Sequence, residues 1–462
     1  MSSNSDGIIS NSDDLSKLSK QELLKKCDEL SITKVKSKNK TQLIKLIMDK
    51  IIMIVNSSRS NESNRKEHSN GEEHKSSLKF IDLFCGIGGF HQALSKLNYK
   101  CVFACDIDVN CRLTYKANYG IEPECDITQI DEKNIPDFDI LCAGFPCQPF
   151  SKAGFQNGFQ DTRGTLFYDI CRITKHHKPK YLILENVRNL ESHDNGNTWN
   201  IIYKEICDMG YTTYKKPLIL NTLQFNIPQN RERVIILCKR NDLGDMPKYP
   251  IIPKIDKSDV NVSLHNIVDK KYNTNANSLS EKLINVKNVW NEFIHMCYDN
   301  NIKIPKFPIW TEYWDSTVDN TKYKNWIDKN RLFYSKHKNV LDGWLIKSRK
   351  NKHWIGAMRK LEWQTNTSSN DLDSLLWSCR GSGIRVKDAN YVPTLVAMNQ
   401  TPIYGFFNRK LVPEELLKLQ SFDDTFKFNK KHIYKQLGNA INVDVIYKCA
   451  NFLINQVGLF ET

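Results

Sequence analysis

The strongest constraint on the fold is a set of short apolar runs that begins abruptly at Lys79: "KFIDLF", "KCVFAC", "FDILCAG" and "KYLILE", separated by segments with helical texture. Runs without polar alternation are typical of strands buried on both faces. Strands that alternate with helices specify a parallel sheet flanked by helices. The fold class expected from Lys79 onward is therefore α/β, of the nucleotide-binding type.

The regular alternation stops after "RVIILCKR" at Arg240, and the region up to about Gly405 is rich in Asn, Lys, Trp and Tyr. Helical periodicity then returns, at Leu411, Leu416, Leu417 and Leu419 in "RKLVPEELLKLQSF" and at Ile441, Val445 and Cys449 further on. This pattern predicts an α/β domain in two parts, 78–240 and 406–462, interrupted by an inserted domain at 241–405. A chain of 462 residues is also longer than one core usually organises.

Before Lys79 lie two further segments. Residues 1–54 hold two short amphipathic helices: Ser19 with Glu22 forms a capping box before Leu23, Cys27 and Leu30, and Asn39 with Gln42 forms another before Leu43, Ile44, Ile47 and Ile51. Residues 55–77 have almost no apolar side chain to offset the entropy of ordering and read as a disordered linker.

The hairpin is similar to the SAP family of DNA-binding helical hairpins, which set lysines at the start of the second helix against phosphates; Lys36, Lys38 and Lys40 stand at those positions. A protein-docking hairpin is the competing reading.

The totals narrow the setting. There is no apolar run long enough to span a membrane and no basic-then-apolar leader, so a cytoplasmic protein is expected. The 14 cysteines are dispersed, without a paired C-x-x-C signature, and imply reduced thiols and no metal. A formal charge of +14 favours an anionic partner, nucleic acid or an acidic membrane surface, without choosing between them.

The chemistry concentrates at expected strand ends. "FIDLFCGIGGF" runs a strand into Gly86, Gly88 and Gly89, which allow a tight turn and leave a helix N-terminus facing a ligand. Asp106 follows the next strand, where an acid can accept both hydroxyls of a ribose, and Asp126 follows the one after. Cys147 lies just beyond "DILCAG", in a turn stiffened by Pro146 and Pro149 and followed by the Gly-rich stretch "SKAGFQNGFQDTRG", a loop able to close over a substrate. Glu185 ends the apolar strand "YLILE", a position that tends to raise a carboxyl pKa and suits proton donation; Arg231 and Arg233 add cations at the start of another strand.

Six stretches, in order, closely resemble the DNA (cytosine-5) methyltransferases: "DLFCGIGGF", "GFPCQPFS", "ENVRNL", "QNRERV", "RKLVPEELLKLQSF" and "QLGNA". The resemblance covers Lys79 to Arg240 and Arg409 to about Val457. It implies a Rossmann-like class I methyltransferase domain that uses S-adenosyl-L-methionine and acts on double-stranded DNA, with the insert as target-recognition domain.

By motif position, the resemblance assigns Cys147 as the nucleophile at carbon 6 of cytosine, Glu185 as the group at N3 and Arg233 as the cation at O2. Arg231, the other arginine of the same motif, is grouped with them as catalytic. Phe84, Gly86, Gly88, Asp106, Ile107, Asp126, Ile127, Leu166 and Asn439 take cofactor positions. Asp106 stands where the family more often has glutamate. Ser151, Gln156, Asn157 and Thr394 become DNA contacts, Thr394 through "PTLVA", which resembles the family's Thr-Leu signature.

The resemblance further implies a monomer on DNA, with no membrane and no metal involved, and a cognate restriction endonuclease as a candidate partner. Within the insert, most Trp and Tyr residues are expected to build its core.

Three rivals compete. A tRNA-modifying cytosine-5 methyltransferase would carry a Cys-Phe-Thr motif, which is missing. A silent DNA-binding relative would have no need of Cys147, Glu185 and Arg233 together. An oxidoreductase gives "PCQ" and "ENV" no role.

Overall fold

The computed structural model describes residues 18–29, 39, 40, 42–44, 47, 77–146, 166–255, 262–315, 317, 321–366, 369–397 and 400–461. The chain divides into two compact units, Met1–Ser76 and Ser77–Thr462.

In the first unit, α1 (Lys20–Glu29) opens with a reciprocal cap. The Ser19 amide donates to Glu22 Oε2 at 2.7 Å and the Glu22 amide donates to Ser19 Oγ at 3.3 Å. Asn39 and Gln42 repeat the exchange at 3.1 and 3.0 Å. Leu23, Cys27, Leu43 and Ile47 are buried together, with Leu24 and Ile44 packed beside them. Leu30, Lys36, Lys38 and Ile51 lie outside the described residues.

The second unit begins with β1 (Lys79–Leu83), α2 (Gly89–Ser95), β2 (Lys100–Cys105), α3 (Val109–Tyr119), β3 (Ile140–Gly144), α4 (Phe167–His177) and β4 (Tyr181–Val187). There follow α5 (Asn197–Asp208), β5 (Tyr211–Thr213), β6 (Leu218–Asn221), β7 (Gln229–Asn230) and β8 (Glu232–Arg240). The main sheet has the order β2-β1-β3-β4-β8-β5, with β6 also on β8. The strands β2, β1, β3 and β4 are parallel, and β8 returns antiparallel to β4.

Successive residues of these strands enter opposite cores, as the period of two requires. Phe80, Ile140, Cys142, Ile183, Ile235 and Leu237 face one core, while Ile81, Leu141, Ala143, Leu182, Leu184, Val234 and Ile236 face the other. Both faces are therefore covered by helices, which explains why the runs read as unbroken apolar stretches.

The insert, with the residues just after it, supplies α6 (Glu281–Asp299), β9 (Ile309–Trp310), α7 (Lys324–Lys336), α8 (Lys338–Arg349), β10 (Lys360–Trp363), β11 (Leu376–Arg380), β12 (Gly383–Lys387), β13 (Val392–Pro393), β14 (Ile403–Tyr404) and, beyond its expected end at 405, β15 (Arg409–Lys410). Six of these strands form a second sheet in the order β15-β14-β11-β12-β10-β9, which runs on to Lys410. Its core is built on tryptophan. Trp290, Trp344 and Trp354 stand 5.3, 5.7 and 5.8 Å apart, and Trp314, Trp363 and Trp377 are buried with them.

The chain then closes the first core with α9 (Pro413–Leu419), α10 (Ile433–Asn439) and α11 (Val443–Asn455), which bury Leu416, Leu417, Leu419, Leu437, Val445, Ile446 and Cys449 against the residues of α2 and β1. One layer of the α/β domain is thus made from residues on both sides of the insert. Among the described residues no helix is long and apolar enough to cross a membrane, and no group of three His, Cys, Asp or Glu side chains is placed to hold a metal ion.

At this closure sits a buried ion pair. Arg409 and Glu415 each have side chains 1% exposed, and the two guanidinium nitrogens donate to the two carboxylate oxygens at 2.7 and 2.9 Å. The carboxylate also accepts from the amides of Asp269 and Val412, both at 2.9 Å. Arg409 spends its remaining donors on Asn273 Oδ1 and on the carbonyls of Asp269 and Lys410. Every charge is answered, the condition under which a buried pair is tolerated.

Candidate active site

The site is assembled along the carboxyl edge of the parallel strands, where the order of β1, β2 and β3 reverses direction and leaves a crevice. After β1 the backbone turns through three left-handed residues, Phe84 (φ 56), Gly86 (φ 54) and Gly88 (φ 87). For Gly88 the reason is contact: a Cβ there would stand 2.2 Å from the Tyr119 ring. For Gly86 none of the described residues lies within 4 Å of the equivalent point, so the bend is open toward all of them. Phe84 adopts the same conformation with a side chain, at a cost of about 1 kcal/mol.

Asp106, directly after β2, binds the loop. Its Oδ2 accepts the Gly86 amide at 2.7 Å and its Oδ1 accepts the Asp108 amide at 2.8 Å. Burial pushes its carboxyl up, while the amides of Asp108 and Gly86 pull it down; the net direction is upward. Beside it Ile107 is 74% exposed, an apolar side chain held in the open. Arg112 braces the turn from below by donating to the carbonyls of Asp106 and Ile107 at 2.8 and 3.0 Å.

Asp126 caps the short turn Ile127–Gln129, its Oδ1 accepting from the Thr128 amide and hydroxyl at 3.0 and 2.8 Å. Ile127 is buried, Leu166 is half-buried at the start of α4, and Asn439 is exposed at the end of α10. An open glycine bend, a carboxylate and an exposed apolar side chain form a cradle suited to a nucleoside with a charged tail.

Beneath this loop His91 is buried, with Nδ1 2.7 Å from the Tyr115 hydroxyl and its ring stacked 3.9 Å from that of Tyr119. Burial lowers its pKa from 6.5 to about 4. The folded state therefore resists a proton that the unfolded chain accepts, so stability is present above pH 6.5 and is lost as pH falls toward 4. Between pH 7 and pH 5 this group should cost the wild type about 2 kcal/mol. Urea unfolding at both pH values should show that loss, and a smaller one in His91→Gln; an equal loss would clear His91 of responsibility.

Register carries the next residues into place. Gly144 at the end of β3 pairs with Glu185 on β4, and Val187 pairs with Arg233 on β8. A Cβ on Gly144 would stand 3.7 Å from Glu185 Oε2, so the carboxyl lies against the segment that leads to Cys147. Glu185 Oε1 meets Arg233 Nε at 2.8 Å, with the two side chains only 12% and 17% exposed. Burial raises the Glu185 pKa against the pull of Arg233 and Arg231. The carboxyl therefore keeps its proton to higher pH than an exposed glutamate.

Two neighbours position this pair. Asn186, buried, donates from Nδ2 to the Phe145 carbonyl at 2.9 Å and accepts the Val187 amide on Oδ1 at 2.8 Å. It thereby holds the backbone two residues before Cys147. Sequence reasoning places Asn186 beside Glu185 but gives it no task; a polar residue in an apolar strand is the available signal.

Arg231 faces away from the cleft. It is buried, and its terminal nitrogens donate to the carbonyls of Gly438 and Ala440 at 3.2 and 2.5 Å. Burial, with the neighbouring charge of Arg233, pulls its guanidinium down to about 9. It grips the turn that carries Asn439.

A cleft of about 340 Å³ is lined by Val187, Arg188, Asn189, Asn230, Glu232, Arg233 and Thr394. The insert reaches it through β13, whose Val392 and Pro393 pair in parallel with Gln229 and Asn230 of β7; Thr394 Oγ1 then donates to the Asn230 carbonyl at 2.8 Å. Arg188, Asn189 and Asn230 are lining residues that sequence reasoning does not single out. Cys147, Ser151, Gln156 and Asn157 lie outside the described residues.

Comparison with known proteins gives one family match: the model for C-5 cytosine-specific DNA methylase covers residues 78–455. The Type II methyltransferase M.HhaI of Haemophilus parahaemolyticus is 51% identical over 167 residues, 36% of this chain and 50% of that protein. M1.ScrFI of Lactococcus lactis subsp. cremoris, also a Type II methyltransferase, is 44% identical over 211 residues, 44% of this chain and 52% of that protein. The chain thus spans about half the length of each of these two relatives. M.HgiCI of Herpetosiphon aurantiacus, another Type II methyltransferase, is 31% identical over 429 residues, which take in 80% of this chain and 96% of that protein.

Proposed function

The chain belongs to the C-5 cytosine-specific DNA methylase family, and from that premise we propose that it methylates carbon 5 of a cytosine flipped out of a specific duplex DNA sequence. The observation that carries this reading is the Glu185–Arg233 pair, aligned by strand register with Gly144, three residues before Cys147. It sits on the sheet edge that also carries the glycine bend.

The chemistry needs such a pair. Carbon 5 of cytosine is too electron-poor to take a methyl group directly, so the Cys147 thiolate first bonds to carbon 6 and pushes electron density onto carbon 5. A Glu185 carboxyl that retains its proton can donate to N3 as negative charge arrives there. Arg233 fixes that carboxyl through Nε, donates from Nη1 to the Glu232 carbonyl, and has Nη2 left for the base's O2. S-adenosyl-L-methionine, when bound, supplies the methyl group. Release of the carbon-5 proton, to water in this scheme, lets the carbon–sulfur bond break and expels Cys147 as the thiolate that began the cycle, while N3 returns its proton to Glu185.

The cofactor site we assign comprises Phe84, Gly86, Gly88, Asp106, Ile107, Asp126, Ile127, Leu166 and Asn439. Its fit is supported by the bend at Gly86, open among the described residues, and by the exposed Ile107. Arg231 is a positioning residue in this reading, since both its terminal nitrogens are committed to backbone carbonyls. Thr394 touches the DNA backbone from the cleft wall, and the loop with Ser151, Gln156 and Asn157 closes on the flipped nucleotide. A monomer acting alone on DNA and a cognate restriction endonuclease also belong to this reading, the latter supported by the Type II designation of the relatives.

The deciding experiment is transfer of label from S-adenosylmethionine to mixed-sequence duplex DNA and to total tRNA, with nucleoside analysis and base-resolution mapping. Label as 5-methylcytosine in DNA is the expected result. Label confined to tRNA would overturn the substrate, and none in either would overturn the activity.

The first unit we assign to DNA binding, in keeping with its two capped helices and basic linker. Removal of residues 1–75 should weaken duplex affinity and its salt dependence and leave the methylated sequence the same. Unchanged affinity would make the hairpin a protein-docking element instead.

A further inference from the structure

The positive charge of the chain is concentrated in one place. Between Lys322 and Lys360 there are twelve lysines and arginines against two acids, Asp328 and Asp342, an excess of ten within a whole-chain excess of 14. This segment holds α7 and α8. Each helix gives part of its apolar surface to the tryptophan core, Phe333 from α7 and Leu341, Trp344 and Leu345 from α8; Ile327 is also buried, while Leu332 and Ile346 stay exposed.

The charge lies on the surface that remains. Lys324, Lys336, Lys338, Arg349, Lys350 and Lys352 are exposed, and none forms an ion pair among the described residues. Lys347, which meets Glu292 at 2.7 Å, shows what a paired neighbour looks like. Unpaired like charges at this density repel one another and destabilise the compact state unless an anion answers them.

We infer that the α7–α8 surface binds the phosphates of duplex DNA flanking the methylated site, separately from the cleft at Arg233 and Thr394. The dimensions agree. Helices of 13 and 12 residues are each about 20 Å long at 1.5 Å per residue, and that length of duplex carries about twelve phosphates. The surface meets backbone alone, so it adds affinity and reach along the duplex without choosing the sequence. The inference rests on the reading of duplex DNA as substrate.

The test is the salt dependence of binding to a mixed-sequence duplex several helical turns long. It compares the full chain with a variant carrying Gln at Lys324, Lys336, Lys338, Arg349, Lys350 and Lys352. At about 0.9 for each phosphate no longer neutralised, the slope of log affinity against log salt should shrink by about 3 or more, with at least about a tenfold loss of affinity at low salt. Lys→Arg at the five lysines should keep the wild-type slope, and methyl transfer at saturating DNA should stay within about twofold in both variants. An unchanged slope would overturn the inference. So would a Gln variant that loses binding only to phosphatidylserine vesicles, which would reassign the surface to anionic membranes. A smaller slope in an enzyme that labels no DNA would support the surface while sinking the proposed reaction, which keeps the two failures apart.

Discussion

Cys147→Ser is expected to lower single-turnover methyl transfer by at least about 10⁴-fold while leaving binding of S-adenosylmethionine unchanged. A hydroxyl in the same place is a weak nucleophile because almost none of it is ionised near neutral pH, and nothing at the Glu185–Arg233 pair acts as a base to activate it. The carboxyl there is already held by the Arg233 guanidinium at 2.8 Å, and that partner is a cation. Cofactor affinity should survive because the glycine bend, Asp106 and Ile127 stand on separate elements, stabilised by their own hydrogen bonds. Calorimetry of cofactor binding beside a labelled-methyl assay reads both quantities. Residual turnover above a hundredth of the wild type would remove the thiol from the mechanism.

Glu415→Ala should destabilise the second unit by about 3–5 kcal/mol, a large share of a typical domain's stability. The loss comes from what is left behind: a buried Arg409 guanidinium without its carboxylate, and the amides of Asp269 and Val412 without their acceptor. Replacing both partners, Arg409→Met with Glu415→Leu, should recover much of the loss, because an apolar pair leaves no charge stranded. Urea unfolding of the two variants separates the cases. A single variant within about 1 kcal/mol of wild type would mean that water reaches the pair.

The α/β layers were legible because strands covered on both faces leave no ambiguity of pattern: Phe80 and Ile81, or Leu141 and Cys142, are apolar whichever way they point. Glu185 was legible for the opposite reason, as a charge ending an apolar strand. Arg231 and Arg233 were not separable. They stand two residues apart in one motif, and only the folded chain sends one to Glu185 and the other to carbonyls in the C-terminal segment.

The hydrogen bond from Asn186 to Phe145 was equally hidden, since it joins neighbouring strand ends that are 41 residues apart in sequence. In the insert, composition offered a mixture of aromatic and basic residues. Folding sorted it, with six tryptophans going into the core and most of the lysines to the outside.

The two rungs between Val392–Pro393 and Gln229–Asn230 bear on how such a chain can diversify. They rivet the end of the insert to the strand that leads into Arg233, so the offset between the insert and the Glu185–Arg233 pair is set there by backbone and not by side chains. In the proposed reading, insert residues that touch neither those rungs, nor the Arg409–Glu415 pair, nor the first core can change without moving the offset between the recognised sequence and the methylated base. A transplanted insert should function where it ends in a segment able to remake those rungs, and should lose its aim where it does not.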